Sequence, residues 1–252
     1  MQVHVLGSGS RGNAMVIQGS AGAVLIDCGF SRRRVEERLA AIGIAPDTIC
    51  GVLVTHEHGD HASGADIVAR AWQVPLYATW GTRQCARWNA GANLQVLTPG
   101  QSLRLAGLDI QPYAVPHDAA EPVQFVVGEG GQRIGVLSDA GHITAHMREV
   151  LAGCDLLLLE ANHCPRMLAD GPYPPALQRR VGGAWGHLSN AQSSELLSVI
   201  DLSRTAQIVL THLSEQNNTP ERAREVISAA LDGWTGTLHT ATQDQPLALT
   251  LD

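Results

Sequence analysis

Short apolar segments separated by polar, glycine-rich turns run along most of the sequence. Runs of apolar and β-branched residues that are bounded by Gly, Asp, Asn or Pro predict β-strands. The predicted strands cover residues 3–6, 16–17, 23–26, 51–54, 76–78, 94–97, 103–105, 109–111, 123–127, 134–137, 155–159 and 207–210, with one short strand at the end of the chain.

Apolar residues at helical spacing predict four helices. These cover residues 31–42, 63–72 and 220–231 and the segment after residue 189. In the first helix Ser31 is the predicted N-cap, Val35, Leu39 and Ile42 form the apolar face, and Gly43 ends the helix. Helices alternate with strands, yet several strands are joined as hairpins. We therefore predict an α+β fold with two mixed sheets packed face to face and helices outside, in a single domain spanning residues 1–252.

Composition narrows the class of protein. The 252 residues are 44% apolar, which is enough for a sizeable core, and no apolar run approaches the eighteen or so residues of a membrane span. Residues 1–5 begin directly as a strand, without the charged region of a signal peptide. Five cysteines without a C-x-x-C pair favour buried thiols in a reducing compartment. These features predict a cytoplasmic protein with no membrane partner.

Net charge limits how the chain can attract a polyanion. The formal charge is −7, from 17 basic and 24 acidic residues. This argues against a broad basic surface for nucleic acid, although it leaves a local basic groove open.

The densest cluster of candidate ligands follows the predicted strand 51–54. Three histidines and one aspartate fall within six residues, at His56, His58, Asp60 and His61. Strand alternation places His56 and His58 on the same side, and the remaining two follow on the turn. Imidazole and carboxylate groups suit zinc or a similar divalent ion. The alternative is a solvated loop, but no packing or turn rule calls for this density.

The motif His-Glu-His-Gly-Asp-His at residues 56–61 resembles the HxHxDH signature of the metallo-β-lactamase fold family. The resemblance implies a four-layer αββα sandwich and two divalent ions, zinc first and manganese as the alternative. It also implies that the carboxylate after the strand 23–26, here Asp27, orients the metal loop.

The same resemblance implies three further ligands, each sought at a strand end. His117 matches the third ligand of the first ion, His212 the remaining ligand of the second, and Asp139 the bridging carboxylate. A turn-forming role is the alternative for Asp139. The implied ligand set is therefore His56, His58 and His117 on one ion, Asp60, His61 and His212 on the other, and Asp139 between them. Two such ions lower the pKa of a shared water, so that a metal-bound hydroxide is available for hydrolysis.

The segment Gly186-His187-Leu188-Ser189-Asn190 indicates what is hydrolysed. It resembles the motif that the phosphodiesterase branch of the family, including the tRNA 3′-processing endonucleases, carries before its final metal histidine. There the histidine works with an upstream Glu, matched here by Glu160, as proton donor to the leaving alkoxide. The plainer alternative is that Ser189 or Asn190 caps the following helix, whose apolar face includes Leu196, and that His187 is incidental.

Four segments together resemble the YycJ-type, or WalJ-type, proteins over essentially the whole chain. They span residues 160–163, 170–174, 186–190 and 211–220. The resemblance implies a metal-dependent 5′→3′ exonuclease acting on DNA ends. The catalytic residues assigned from it are Asp60, Glu160, His163 and His187. Cys164 departs from the acidic residue expected after Asn-His, which weakens any role that rests on an acid there.

Candidate substrate contacts come from two loops and one strand end. Residues 165–185 are rich in Pro and Gly and are predicted to form a loop covering the site, where Arg179 and Arg180 meet backbone phosphates. A solvated loop is the alternative. Ser10 and Asn13, in the glycine-rich turn 7–13, are candidates for phosphate contact, although such a turn alone is more typical of a tight hairpin. Asn162 completes the set.

Three functions remain open at this point. The first is a nuclease acting on DNA or RNA ends. The second is a small-molecule hydrolase acting on a cyclic nucleotide, phosphodiester or thioester, which the negative charge favours. The third is a catalytically silent binding protein, against which the complete ligand set argues. The remaining histidines, at positions 4, 142, 146 and 239, fit no ligand position and are predicted to be structural or on the surface.

Overall fold

A computed structural model of the chain describes residues 1–88 and 93–251. The chain forms two compact units. The first unit comprises Met1–Ala114, Ala119–Gln132 and Thr242–Asp252, and the second comprises Val115–Asp118 and Arg133–Ala241. The single domain predicted for residues 1–252 stays a prediction.

The described strands account for every strand expected from the sequence. They are β1 (Gln2–Gly7), β2 (Ala14–Gln18), β3 (Ala23–Ile26), β4 (Ile49–Leu53), β5 (Leu76–Thr79), β6 (Leu94–Leu97), β7 (Leu103–Leu105), β8 (Leu108–Ala114), β9 (Val123–Glu129), β10 (Gln132–Leu137), β11 (Leu156–Glu160), β12 (Gln207–Thr211), β13 (Thr237–Thr240) and β14 (Leu247–Thr250). The end of the chain therefore carries two strands where one was predicted.

The described helices include several that the sequence pattern did not reveal. They are α1 (Arg32–Ala41), α2 (Gly59–Ala62), α3 (Ala65–Trp72), α4 (Trp80–Cys85), α5 (Ala145–Leu151), α6 (Pro165–Asp170), α7 (Pro175–Val181), α8 (Asn190–Val199) and α9 (Pro220–Ser228), with a 3₁₀ turn at Pro46–Thr48. None of these helices is long and apolar enough to cross a membrane.

The predicted fold class is confirmed, because the strands form two mixed seven-stranded sheets accompanied by helices. In the first unit one sheet has the order β14-β1-β2-β3-β4-β5-β6, antiparallel from β14 to β3 and parallel from β3 to β6. The strands β7, β8 and β9 of this unit pair antiparallel. In the second unit β10, β11, β12 and β13 are all parallel.

The core of the first unit lies where α1 and α3 cover the sheet. Val35 and Leu39 of α1 and Val68 of α3 pack in one buried cluster with Leu25 and Val52 from the strands. Fully burying each such side chain contributes about 1.5–3 kcal/mol. The predicted apolar face of α1 is thus confirmed, and Ser31 occupies the N-cap position.

The second unit explains the continuous apolar run before Glu160. Leu156, Leu157, Leu158 and Leu159 of β11 are all buried, since a central parallel strand is covered on both faces. Because the strands are parallel, their carboxyl ends meet at one edge, where ligands of α/β sheets usually bind. Asp139, Glu160 and His212 lie at the ends of β10, β11 and β12.

One expectation about local structure was wrong. Residues 165–185 are not a single loop, because they contain α6 and α7. Each of these helices has a proline at its first position, where the missing N–H has no intrahelical partner to lose. Prolines in this segment favour a loop on sequence grounds, whereas Pro165 and Pro175 start helices in the structure.

Candidate metal centre and active site

The first unit carries the histidine-rich loop after β4. His56 Nε2 lies 3.0 Å from His58 Nδ1, and the ring centroids of His56 and His61 are 4.4 Å apart. Two nitrogens bound at about 2.0–2.1 Å to one tetrahedral zinc ion are about 3.3–3.4 Å apart, close to the observed separation. The same spacing also suits a hydrogen bond between the two rings. The loop therefore brings the rings of His56, His58 and His61 together, and the contact between His56 and His58 agrees with the strand alternation that places these two on the same side.

Asp27, at the end of β3, contacts two residues of this loop. Its Oδ2 lies 2.8 Å from His61 Nδ1, and its Oδ1 accepts hydrogen bonds from the N–H and hydroxyl of Thr55 at 2.9 and 3.0 Å. The Thr55 hydroxyl also contacts His56 Nδ1 at 2.9 Å. The contacts to His61 and Thr55 are what the predicted orienting role requires. Sequence reasoning missed Thr55, whose signal was its place between the strand and the first histidine.

Asn13 lies beside the same loop. Its side chain is buried, and its Nδ2 lies 3.1 Å from His61 Nε2 and 3.4 Å from Asp60 Oδ2. Its Oδ1 accepts hydrogen bonds from Ser8 Oγ and from the N–H of Gly9, which fixes the amide. Ser10, in the same turn, is exposed. Substrate contact by Ser10 and Asn13 stays a prediction, and Asn13 has a structural role next to His61.

The second unit brings two carboxylates and two imidazoles together. Glu160 is fully buried, and its Oε1 lies 2.8 Å from His187 Nδ1 and 3.4 Å from His212 Nδ1. Asp139 Oδ1 lies 3.2 Å from His187 Nδ1 and 3.1 Å from His212 Nδ1. Ser138 donates its hydroxyl to Asp139 Oδ2. These four groups are close enough together to hold a metal ion.

Charge and burial set the protonation of this cluster. Burial opposes a charged His187, but the carboxylates of Glu160 and Asp139 outweigh it and raise the pKa of His187 to about 10. Burial likewise opposes an ionised Glu160, yet His187 and His212 lower its pKa to about 2. The N–H groups of Ala140 and Leu188 donate to Glu160 Oε2 at 3.0 and 3.1 Å, which stabilises the carboxylate. A charged Glu160–His187 pair is the result.

His117 lies in the second unit, at the base of the segment that carries His187. Its Nδ1 donates to the carbonyl of Gly186 at 2.9 Å, and its ring centroid lies 5.2 Å from that of His187. Burial lowers the pKa of His117, so the ring is neutral, the form that ligates a metal. Gly186 is required here, because a Cβ would lie 2.2 Å from the carbonyl oxygens of Arg180 and Val181.

The residues that follow Glu160 in the sequence lie next to this cluster. Asn162 is buried and donates its amide to the carbonyl of His212 at 3.0 Å. His163 is buried, burial lowers its pKa to about 4, and its Nδ1 has no partner within the described chain. Cys164 is buried at the N-cap of α6. Burial opposes its ionisation, but nearby backbone N–H groups and the Arg222 guanidinium together lower the pKa of its thiol. Catalysis by His163 and substrate contact by Asn162 stay predictions.

The two candidate arginines lie in the last turn of α7. Arg180 forms a short ion pair with Asp118, the residue after His117. Arg179 is exposed, and it forms no ion pair within residues 1–88 and 93–251. It lines a pocket of about 570 Å³ together with His163, Gln178 and Ser189. Both arginines are exposed, and Arg180 is the one engaged in an ion pair.

A family model described as the beta-lactamase superfamily domain matches residues 23–213. This span begins at β3 and ends just beyond His212, so it contains the histidine loop, Asp139, Glu160 and His187. The chain belongs to the β-lactamase superfamily.

Two relatives place the chain more finely within that superfamily. Exodeoxyribonuclease YycJ of Bacillus anthracis is 30% identical over 232 residues, which cover 90% of this chain and 88% of the relative. Exodeoxyribonuclease WalJ of Streptococcus pneumoniae serotype 2 is 31% identical over 225 residues, which cover 87% and 84%. The predicted resemblance to the YycJ and WalJ proteins is thereby confirmed, and this superfamily member belongs to their family.

A solved structure agrees with the superfamily fold. Zn²⁺-bound PqqB from Methylobacterium extorquens has a TM-score of 0.72 and 18% identity, over 100% of both chains. At this identity the likeness shows the fold alone.

The donor sets of the two units fit divalent metal ions. In the first unit they are imidazole nitrogens backed by Asp27, and in the second they include the Asp139 carboxylate and the His212 imidazole, whose Oδ1 and Nδ1 atoms are 3.1 Å apart. Imidazole and carboxylate ligands with hydrogen-bonded partners are the usual protein environment of zinc and similar ions. The chain of this superfamily member thus offers ligands of the expected type at the carboxyl ends of its parallel strands.

Proposed function

We propose that this protein is a metal-dependent exodeoxyribonuclease that hydrolyses phosphodiester bonds from the 5′ end of DNA. The observation that carries the proposal is the ion pair between buried Glu160 and half-buried His187, because a charged imidazole at this place suits protonation of a departing sugar oxygen. Two relatives named exodeoxyribonuclease, each similar over more than four fifths of the chain, support it. Location in the cytoplasm stays part of the proposal.

We assign two divalent ions to the ligands that the family motif implies. The implied ligands are His56, His58, Asp60, His61, His117, Asp139 and His212. Zinc is the first choice, since a structure of the same fold is Zn²⁺-bound, and manganese is the alternative. When bound, such ions activate water and neutralise charge on phosphate oxygens.

The chain's own residues supply orientation and the proton. Asp27 and Thr55 contact the Nδ1 atoms of His61 and His56, and these contacts orient the two rings. Glu160 accepts from His187 Nδ1, which leaves His187 Nε2 as the nitrogen that donates a proton to the leaving oxygen. A correctly placed general acid of this type commonly contributes about 10²–10⁴-fold in rate.

One comparison of substrates tests this proposal. End-labelled duplex DNA and bis-p-nitrophenyl phosphate are incubated with the purified protein, with and without a chelator. The expected result is chelator-sensitive release of nucleotides from the 5′ end of the duplex. Release from the 3′ end would contradict the polarity, and hydrolysis of the ester without any attack on DNA would contradict the nuclease.

The second candidate is a hydrolase for a small phosphodiester or a thioester. The net charge of −7 favours it, because an acidic protein gains little from the field of a polyanion. It predicts saturation by the small ester and no attack on the duplex in the same assay.

A further inference from the structure

Trp185 is an exposed tryptophan in the segment that leads to the proposed acid. It has 61% of its surface exposed, although single exposed apolar residues are common in proteins. What sets Trp185 apart is its place in the chain, two residues before His187. Two residues span at most about 7 Å, so the indole lies within reach of the nucleotide whose leaving oxygen His187 would protonate.

The backbone beneath this indole is fixed by hydrogen bonds within the second unit. The carbonyl of Trp185 accepts from the N–H of Asp118 at 2.9 Å, and the carbonyl of Ala184 accepts from His142 Nδ1 at 2.9 Å. Gly141 packs so closely that a Cβ there would lie 2.5 Å from the backbone nitrogen of Trp185. An exposed ring on a fixed backbone loses little entropy when it binds a flat ligand.

The same segment is tied directly to the residues of the proposed site. The carbonyl of Gly186 accepts from His117 Nδ1, and the N–H of His187 donates to the carbonyl of Val181. The His142 ring meets the indole at an interplanar angle of 85°, with the centroids 6.3 Å apart. The exposed fraction shows that most of the indole remains open beside this contact.

We propose that Trp185 is a stacking platform for a nucleobase next to the scissile phosphate. This inference rests on the proposed nuclease function and names a contact that positions its substrate. Every base has a π-face, so stacking on an aromatic ring binds nucleic acid without regard to sequence. It also needs no positive charge, which suits a chain with a net charge of −7.

Three variants test the platform by their kinetics on duplex DNA. Trp185→Ala is expected to lower kcat/KM by roughly 5- to 150-fold, mainly through KM, which is the range for loss of one base–aromatic stack. Trp185→Phe keeps a ring and is expected to retain most of the activity. The matched control is Trp80→Ala, since Trp80 is also exposed, at 55%, but lies on α4. Melting temperatures of all three show whether the fold is intact. Equal kcat/KM for Trp185→Ala and the parent would overturn the inference.

A second experiment asks whether the contact is made to a base. Duplexes carry a single abasic nucleotide at each of the positions nearest the attacked end. At one position the abasic change is expected to slow the parent by about the same factor as Trp185→Ala, and to slow Trp185→Ala little further. If the abasic nucleotide slows the parent and Trp185→Ala by the same factor at every position, Trp185 does not touch a base. If the parent attacks no duplex at all, the proposed function fails instead, so the two failures are distinguishable.

Discussion

Three site residues have backbone conformations that are unusual for residues other than glycine. Asp27, Asp139 and His212 have positive φ angles of 58°, 52° and 54°. Each follows the end of a strand, β3, β10 or β12. Such a conformation costs on the order of 1–3 kcal/mol per residue and persists where the surroundings enforce it. These three residues have candidate roles in metal binding. Binding a metal requires a defined side-chain direction, and the unusual backbone conformation helps to set it.

The bridging role of Asp139 gives the first prediction. Asp139→Ala is expected to lose at least one of two bound ions per chain, measured by metal analysis of the purified protein. Glu160 does not replace it, because both its oxygens are already held by His187 and by the N–H groups of Ala140 and Leu188. Asp170→Ala, which removes an exposed acid of α6, is the control and should keep both ions. Two tightly held ions in Asp139→Ala would remove Asp139 from the site.

The proton-donating role of His187 gives the second prediction. His187→Ala is expected to slow cleavage of DNA by about 10²–10⁴-fold but to slow a p-nitrophenyl ester far less, since that leaving group needs no proton. Metal content should stay unchanged. Equal losses on both substrates would show that His187 positions the phosphate and is not the acid.

Among the elements, β1 carries a buried histidine in an apolar setting. His4 pairs with Val16 of β2 and Ala248 of β14, and neither of its ring nitrogens has a hydrogen-bond partner within the described chain. Burial lowers its pKa below the ordinary value of 6.5. The predicted structural position of His4 therefore has an energetic cost, because an unsatisfied buried polar group costs about 1–3 kcal/mol.

This element gives the third prediction, on stability and pH. Above pH 6.5 His4 is neutral in both the folded and the unfolded chain, so its protonation takes nothing from the free energy of unfolding. As the pH falls below 6.5, the unfolded chain takes up the proton first, so the folded state loses stability. His4→Leu is expected to raise the free energy of unfolding by about 1–3 kcal/mol and to flatten its fall from pH 7 to 5, measured by urea unfolding. The exposed His146→Leu is the control, and an unchanged slope in His4→Leu would refute the role of His4.

Helix α7 gives the fourth prediction, because its last turn carries Arg179 and Arg180. The double variant Arg179→Ala with Arg180→Ala is expected to weaken binding of a DNA end at matched salt, and to reduce activity on DNA more than on a p-nitrophenyl ester. Arg179→Ala alone should account for most of the loss, since Arg180 is already paired with Asp118. Arg33→Ala, an exposed arginine of α1 paired with Glu37, is the control. Unweakened binding by the double variant would favour the small-molecule hydrolase.

At the scale of the whole molecule, the acidic total sets the salt dependence of binding. With a net charge of −7, attraction to DNA must come from bound metal ions and a few arginines. Neutralising ~2–3 phosphates gives a slope of log affinity against log salt of roughly −2 to −3, against about −5 to −9 for proteins making 6–10 phosphate contacts. A binding titration across salt concentrations measures this slope. A slope as steep as that of proteins making 6–10 phosphate contacts would contradict the prediction and indicate a local basic surface on this acidic protein.

Local sequence patterns predict the histidine motif and most of the strands and helices. Short β-branched runs ending in His or Asp identified the strand ends, and spacing alone identified the motif at residues 56–61. A cap at Ser189 or Asn190 was also predicted, and the Ser189 side chain accepts from the N–H of Gln192 as a helix N-cap does. These features are local, because strand periodicity and capping depend on residues only a few positions apart.

Contacts between side chains that are far apart in the sequence follow from the folded structure. Asp27 reaches Thr55 and His61 across 28 and 34 residues, and Glu160 reaches His187 across 27. No sequence period encodes such contacts, because they follow from the parallel pairing of strands that brings carboxyl ends to one edge. The pKa values of Glu160 and His187 depend on the same encounter, since burial and a facing charge exist only after folding.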